Sequence, residues 1–165
     1  MKKFELTAEF VTNVFGKKLF RIKALVAFGN VEKGELGGFI EKEDNLSHDD
    51  NAWVYGNAWV FGNARVSGNA QVSGNALVSG NAQVSGNARV YDDADYAVVK
   101  GFGRCFRTTT FFRCKDKILR VQCGCFYGDL AQFREIVKKT HGDSKYAKEY
   151  LAIADLMELH FSDEY

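Results

Sequence analysis

The middle of this chain repeats a six-residue unit, and this repeat constrains the fold more than any other feature. From Asn51 the sequence reads NAWVYG NAWVFG NARVSG NAQVSG NALVSG NAQVSG NARVYD. Alanine recurs at every sixth position from Ala52 to Ala94, and valine does so from Val54 to Val90. A strict period of this kind is typical of a solenoid, in which each unit stacks on its neighbours to complete a shared core.

Strand geometry explains the residue types in the unit. Within each Ala-x-Val segment, alanine and valine point to one face and the residue between them points to the other. The Gly-Asn pair that follows tolerates positive φ better than other residues, so it can turn the chain. We therefore predict that the Ala/Val faces form one buried core. Stacked coils of the chain would then be joined by backbone hydrogen bonds between strands about 4.8 Å apart.

Read as V-x-G-N-A-x, the unit resembles the hexapeptide repeat of left-handed parallel β-helices, where an aliphatic residue is followed four positions later by a small one. The resemblance implies a mainly β protein built on a short left-handed parallel β-helix of about three coils. In that family three units make one coil of eighteen residues, so the resemblance also implies that residues eighteen positions apart stack. The left-handed sense rests on the resemblance alone, because connections between parallel strands are ordinarily right-handed.

The segments on either side of the repeat predict two further parts. We expect an N-terminal β cap over residues 1–43, the β-helix over 44–99, and an α+β domain over 100–165. A cap is required because the end of a solenoid otherwise exposes its core and its unpaired backbone. In the last part, alternating residues and a Lys-Asp-Lys turn predict a hairpin, and capping residues Asp129 and Ser144 predict two helices. Each helix has one apolar stripe at helical spacing, formed by Leu130, Phe133, Ile136 and Val137 in the first and by Tyr146, Tyr150, Ile153, Met157 and Phe161 in the second.

Both flanks carry a resemblance of their own. The string RIKAL…FGNVEKGELGGFIEKEDNLS resembles a segment found before hexapeptide repeats in bacterial and phage proteins of unassigned function. The run TTTFF…CGCFYGDLAQF resembles a C-terminal module found after such repeats. This resemblance implies a phage-encoded protein that binds a host factor or sequesters a small nucleotide-like signal of host defence.

Composition excludes several classes of protein. The chain has 22 Lys and Arg against 21 Asp and Glu, which argues against a globally basic protein that binds duplex nucleic acid. No apolar run approaches a membrane span, and the first residues lack the apolar stretch of a signal peptide. We therefore expect a cytoplasmic protein of a bacterial host, without membrane contact. The four cysteines between Cys105 and Cys125 lack zinc-site spacing, so we expect reduced thiols and no metal.

Hexapeptide β-helices are known mostly as acyltransferases that use a histidine as general base. The strict repeats contain no histidine, aspartate or glutamate, and His48 in the degenerate unit before them is the only candidate base. We therefore expect no catalytic residue and no cofactor. An acyltransferase that uses an acyl-CoA donor remains the alternative.

The first repeats place four aromatic side chains on outward positions, namely Trp53, Tyr55, Trp59 and Phe61. Flanking segments that cover them, a subunit interface, and a platform on which a ligand stacks are all consistent with this pattern. Arg89 should lie in the same column as Trp53. We predict self-association into a homo-oligomer, and we include Trp53, Tyr55, Trp59 and Arg89 among the candidate ligand residues.

The best candidate for a binding site is the basic segment 100–125, which has seven Lys and Arg residues against one Asp. Arginine forks and hydroxyls beside glycine-rich backbone suit phosphate or carboxylate. The candidate residues are Arg104, Arg107, Thr108, Thr109, Thr110 and Arg113. Two alternatives stay open. The charges could meet the aspartates at 92, 93 and 95 on a solvated strand face, or they could form a docking surface for an acidic protein.

These observations together favour a non-enzymatic binding protein that oligomerises and takes a small anionic, nucleotide-like ligand or a host protein. A purely structural oligomer is the remaining alternative.

Overall fold

Three antiparallel strands precede the repeat in the computed structural model, which describes residues 2–162. They are β1 (Phe4–Thr12), β2 (Lys18–Ala24) and β3 (Leu36–Ile40). β2 pairs with both β1 and β3, and β3 in turn pairs in parallel with a strand of the repeat. The N-terminal segment thus extends one sheet of the repeat, as a cap would.

The repeat forms a series of two-residue strands, one in each unit. They are β4 (Trp53–Val54), β5 (Trp59–Val60), β6 (Arg65–Val66), β7 (Gln71–Val72), β8 (Leu77–Val78), β9 (Gln83–Val84) and β10 (Arg89–Val90). Every alanine from Ala52 to Ala88 and every valine from Val54 to Val90 is at most 1% exposed. The predicted Ala/Val core is therefore confirmed. The glycines that close the units from Gly56 to Gly86 all have positive φ, which explains the residue type at the turn.

The strands of the repeat pair in parallel, eighteen residues apart, as the resemblance to hexapeptide repeats implies. One stack has the order β3-β5-β8, a second has β4-β7-β10, and a third joins β6 to β9. In the second stack Trp53 pairs with Gln71, which pairs with Arg89. Leu46 forms a bridge to Val66 beside the third stack. The predicted column of Trp53, Gln71 and Arg89 is thus present.

A second sheet and two helices follow the repeat. The sheet contains β11 (Tyr96–Val99), β12 (Thr109–Arg113), β13 (Leu119–Cys123) and β14 (Phe126–Asp129), and the helices are α1 (Leu130–His141) and α2 (Lys145–His160). The strands are antiparallel in sequence order, so the predicted hairpin is present as β12 and β13. The predicted caps are also present, since the Asp129 carboxylate accepts a hydrogen bond from the Gln132 amide and the Ser144 hydroxyl from the Ala147 amide.

One strand lies on the other side of the expected boundary. β11 falls inside the 44–99 segment that we assigned to the β-helix, but it pairs with β12 and is the edge strand of the C-terminal sheet. Its backbone finds an antiparallel partner there, whereas the strict six-residue unit already ends at Asp92. Neither helix of the described chain is long and apolar enough to cross a membrane.

β12 connects the repeat to the helices because its side chains alternate between two cores. Phe112 packs into the core of the repeat, and its neighbour Phe111 packs into a second core with Val121 and Phe133. Both phenylalanines are fully buried. The C-terminal sheet is therefore anchored on the repeat by one face of β12 and carries the helices on the other.

Lys3 is an unusual buried cation at the start of β1, where only 4% of the residue is exposed. Its Nζ donates hydrogen bonds to the carbonyl oxygens of Ala52 at 2.7 Å and Asp50 at 3.3 Å, and it lies 4.5 Å from the centre of the Phe28 ring. Burial lowers the pKa of Lys3 to about 8, although Asp50 and Asp49 act in the opposite direction. The N-terminal strand is thus attached to the first repeat by a cation that is costly to bury.

We expect this lysine to give the free energy of unfolding a distinct pH dependence. Because its folded pKa of about 8 lies below the unfolded value of about 10.4, the unfolded chain binds more protons between these values. The contribution of Lys3 to stability should therefore rise with pH across this window. Urea denaturation at several pH values should show the free energy of unfolding of the wild type increasing relative to that of Lys3→Met as the pH rises. Tyrosines and thiols are present in both proteins, so the difference between the two profiles isolates the contribution of Lys3. Parallel profiles would contradict the lowered pKa of Lys3.

Candidate functional site

An open pocket of about 360 Å³ lies between the C-terminal sheet, the helices and the loop of residues 100–108. Its apolar lining comes from Phe126 on β14 and from Phe133, Ile136 and Val137 on α1. Its polar lining consists of Arg104, Cys105, Arg107, Cys123, Cys125, Thr140, His141 and Tyr150. Among the described residues that line it, none carries a carboxylate, so the pocket combines an apolar surface with positive charge.

The loop that carries both arginines is held in place by α2. The Gly103 amide donates a hydrogen bond to the Glu149 carboxylate at 3.0 Å, and the Tyr150 hydroxyl donates one to the Phe102 carbonyl at 3.2 Å. Gly103 has a φ of +76°, and a Cβ at this position would collide with the Tyr150 ring. The glycine at position 103 is therefore explained by this close approach to a tyrosine.

Arg107 extends to the turn between β13 and β14. A Cβ at Gly124 would collide with the Arg107 guanidinium, so the glycine leaves room for it. A hydrogen bond with Cys105 raises the pKa of Arg107, and the nearby thiol of Cys123 acts in the same direction. No carboxylate pairs with Arg107 within the described chain, and its side chain is exposed. The guanidinium is therefore free to meet an incoming anion.

The pocket also contains three free thiols, those of Cys105, Cys123 and Cys125. The Thr109 hydroxyl lies 3.2 Å from the Cys123 sulfur. Across residues 2–162, no group of three or more His, Cys, Asp or Glu side chains is arranged to hold a metal ion.

The threonines of the predicted anion site have structural positions instead. Thr109 and Thr110 are fully buried, and the Thr110 hydroxyl accepts a hydrogen bond from the Gln83 amide at 3.0 Å. Thr108 is half-buried and lies outside the pocket lining. Thr110 lies on the face of β12 that packs on the repeat, whereas Thr109 shares the other face with Phe111 and is covered by Cys123. Neither threonine lines the pocket.

Arg113 lies outside the pocket lining. Its guanidinium pairs with the Asp95 carboxylate at 3.2 Å and lies over the Phe161 ring at 5.3 Å. For this residue the structure matches the alternative in which the basic charges meet the aspartates after the repeat. Of the basic candidates, Arg104 and Arg107 are the two that the pocket brings together.

The aromatic candidates are separated from the pocket and from one another. Trp53 is fully buried, with its ring centre 6.3 Å from that of Phe4 and 5.3 Å from that of Phe28. The N-terminal segment covers it, so the expectation of a ligand stacked on Trp53 does not hold. Trp59 is half-buried, and its ring centre lies 6.5 Å from that of Phe61.

Tyr55 and Arg89 line a second, polar groove on the repeat. This groove is distinct from the C-terminal pocket, whose lining contains neither residue.

The pocket includes residues that sequence reasoning assigned only to a helical core. Phe133 and Val137 belong to the apolar stripe predicted for α1, and Tyr150 belongs to the stripe predicted for α2. All three are at most 5% exposed. The periodicity indicates which side of each helix is apolar, but only the position of the 100–108 loop turns part of that side into a pocket wall.

His48, the candidate base of the acyltransferase alternative, is enclosed by the N-terminal strand. Its Nδ1 accepts a hydrogen bond from the Lys3 amide at 3.0 Å, and its ring stacks on Phe4 with centres 4.1 Å apart. Burial lowers the pKa of His48, and the neighbouring Glu43 acts in the opposite direction. These contacts give the histidine a structural position between the cap and the first repeat.

Comparison with known families supports the solenoid. A family model described as the YdcK beta solenoid repeat matches residues 58–72, 70–85 and 82–94. These segments contain the strands β5 to β10 and cover less than half of the chain, which is therefore similar to this β-solenoid family over its repeat. No curated protein matches the chain in sequence.

Proposed function

We propose that this protein is a non-enzymatic binding module that takes a small anionic, nucleotide-like ligand in the C-terminal pocket. The observation that carries the proposal is the position of Arg104 and Arg107 beside an apolar lining with no carboxylate among its described residues. Guanidinium groups bind phosphate and carboxylate through paired hydrogen bonds, and they remain charged at any physiological pH. The anionic part of the ligand would meet these two residues.

The apolar lining suits the other part of such a ligand. The half-buried Phe126 offers a ring and the exposed Ile136 an aliphatic side chain, and the buried Phe133 and Val137 lie behind them. Flat ring systems stack on aromatic side chains irrespective of base identity. A volume of about 360 Å³ lies within the range of small-molecule sites. We therefore propose a ligand of mononucleotide size, with the ring against the helix and the phosphate against the loop.

The repeat serves in this proposal as a rigid scaffold. We propose that its three stacks are the faces of a left-handed β-helix of about three coils, supported by the eighteen-residue pairing and the resemblance to hexapeptide repeats. Self-association also stays a prediction, supported by the exposed Phe15 and Val14 near the half-buried Phe61. A light-scattering mass equal to the 18.5 kDa monomer would contradict it. The phage origin and the role against host defence rest on the resemblance of the flanks alone.

We expect Arg107→Ala to weaken nucleotide binding by roughly ten- to a hundred-fold, since a charge-assisted contact contributes about 1.5–3 kcal/mol. Isothermal titration calorimetry with mono-, di- and cyclic nucleotides would measure this change. The melting temperature of the ligand-free protein should change little, because Arg107 is exposed and its recorded partners are thiols.

Lys100→Ala is the matched control for this experiment. Lys100 is an exposed cation of the same basic segment, and it lies outside the pocket lining. Its replacement therefore weakens the electrostatic field of the segment without removing a side chain from the pocket. If both variants weaken binding equally, long-range charge explains the effect and the pocket does not. If no nucleotide of the panel binds, the proposed ligand class is wrong.

A further inference from the structure

A second concave surface lies on the repeat, and its chemistry differs from that of the C-terminal pocket. This amide groove has a volume of about 250 Å³. Asn51, Asn69 and Asn87 succeed one another at intervals of eighteen residues along it, and Gln71 and Arg89 lie beside them on β7 and β10. Asn30, Tyr55 and Lys115 complete its functional side chains. The groove thus presents a row of amides with two cations and one phenol.

Three separate parts of the chain build this groove. The repeat supplies the floor through the stack of β4, β7 and β10. At one end the N-terminal loop lies against Asn51, close enough that a Cβ at Gly29 would be 3.3 Å from the Asn51 side chain. At the other end the β12–β13 turn is attached by a hydrogen bond of 2.9 Å from the Lys115 amide to the Asn87 carbonyl. The groove is therefore bounded at both ends by segments held to the repeat.

The polar groups of the groove are largely unused by the protein. Gln71 and Arg89 are half-buried, yet within residues 2–162 neither side chain forms a hydrogen bond. Asn69 uses its Oδ1 for a weak contact of 3.4 Å with the Asn51 amide, which leaves its two N–H donors. Burial raises the pKa of Tyr55, with Glu35 acting in the same direction and Arg89 against it, so its hydroxyl remains a donor. The groove therefore offers both donors and acceptors to a ligand.

We propose that the amide groove binds an acidic oligosaccharide, a short chain of sugar units that bear carboxylates. Sugar hydroxyls donate and accept hydrogen bonds at once, and a side-chain amide offers the complementary pair of groups. Successive amides along a parallel stack lie about 4.8 Å apart, a distance comparable to the length of one pyranose ring. Arg89 and Lys115 supply the charge that selects a carboxylate over a neutral sugar.

Other ligand classes fit the groove less well. Among the described residues of its lining, none has an aliphatic hydrocarbon side chain that would hold an apolar residue of a peptide. Tyr55 is the single aromatic ring of the described lining, so a run of nucleotide bases finds no series of stacking surfaces. This inference does not depend on the ligand proposed for the C-terminal pocket, since the two linings share no residue.

The repeat provides an unusually close control for a test. Arg89 and Arg65 occur in the same local sequence, GNARV, and Gln71 and Gln83 both occur in GNAQV. Arg65 and Gln83 pair with each other on the stack of β6 and β9, where both are exposed. The double variant Gln71→Ala/Arg89→Ala therefore removes two groove side chains, and Gln83→Ala/Arg65→Ala removes the same two residue types elsewhere.

Binding of trigalacturonate, measured by calorimetry and by ligand-observed NMR, tests the inference. We expect the wild-type protein and the Gln83→Ala/Arg65→Ala variant to bind it equally, and the Gln71→Ala/Arg89→Ala variant to bind at least ten-fold more weakly with an unchanged melting temperature. Citrate, an anion without a sugar ring, and cellotriose, a neutral sugar, should bind more weakly than trigalacturonate. Equal affinity for citrate would show that the groove is a general anion site, and equal affinity for cellotriose would show that the cations do not select the ligand. Each of these two results would overturn the proposal. An equal loss of affinity in both double variants, or no binding of trigalacturonate, would also overturn it.

Discussion

Replacing Trp53 with alanine is expected to lower the free energy of unfolding by about 3–5 kcal/mol. Trp53 is the largest fully buried side chain described in the protein, and it lies edge-on to the rings of Phe4 and Phe28. Loss of the ring would leave a cavity between the N-terminal segment and the first repeat, where that segment covers the end of the solenoid. Since folded domains are stable by about 5–15 kcal/mol, this single change removes a large fraction of the total.

Two further variants test the reason for this loss. The Trp53 Nε1 is buried without a hydrogen-bond partner in the described structure, so Trp53→Phe should cost much less than Trp53→Ala. Trp59→Ala removes the same residue type from the next unit, where the ring is only half-buried, and should also cost less. Urea denaturation followed by circular dichroism compares all variants. Equal losses for Trp53→Ala and Trp59→Ala would contradict the assignment of Trp53 to the seam between cap and repeat.

Gly38→Ala is expected to cost about 3 kcal/mol, at the upper end of the usual effect of overpacking. A Cβ at Gly38 would lie 2.5 Å from the Ala58 carbonyl oxygen and 2.7 Å from a methyl group of Val54. The carbonyl cannot move aside, because it accepts the backbone hydrogen bond of 2.9 Å from Phe39 that joins β3 to the repeat. The added methyl group must therefore weaken the parallel pairing of the cap with β5.

Gly128→Ala provides the comparison for Gly38→Ala. Gly128 also lies in a strand, and a Cβ there would approach the side chains of Gln132 and Phe126. Side chains change rotamer more easily than a backbone carbonyl moves, so we expect a cost of about 1 kcal/mol. The same denaturation experiment measures both. A larger loss for Gly128→Ala than for Gly38→Ala would show that β3 is more loosely attached than its pairing indicates.

Much of the candidate site could not be predicted from the sequence. The basic segment was recognisable, and two of its arginines, Arg104 and Arg107, do line one pocket. Charge density did not distinguish them from Arg113, which pairs with Asp95. The difference depends on the loop of residues 100–108, whose position is set by Glu149 and Tyr150 more than forty residues later. No local pattern encodes such a contact.

The repeat is what the sequence determined by itself. A period of six with alanine and valine two positions apart places both residues on one face of each strand, so the buried Ala/Val core follows from it. The eighteen-residue pairing is the one that the resemblance to hexapeptide repeats implies. The hairpin and the two helices were also predictable from the sequence, because their signals lie in neighbouring residues.

The tertiary structure alone decided the environment of the outward-facing residues. Trp53, Gln71 and Arg89 occupy equivalent positions in one stack, yet the first is covered by the cap and the other two form the floor of a groove. These positions are equivalent within the repeat, since all of them point away from the Ala/Val core. Their environment depends on the positions of the N-terminal loop and of the β12–β13 turn. Both positions are set by contacts between segments that are far apart in the chain.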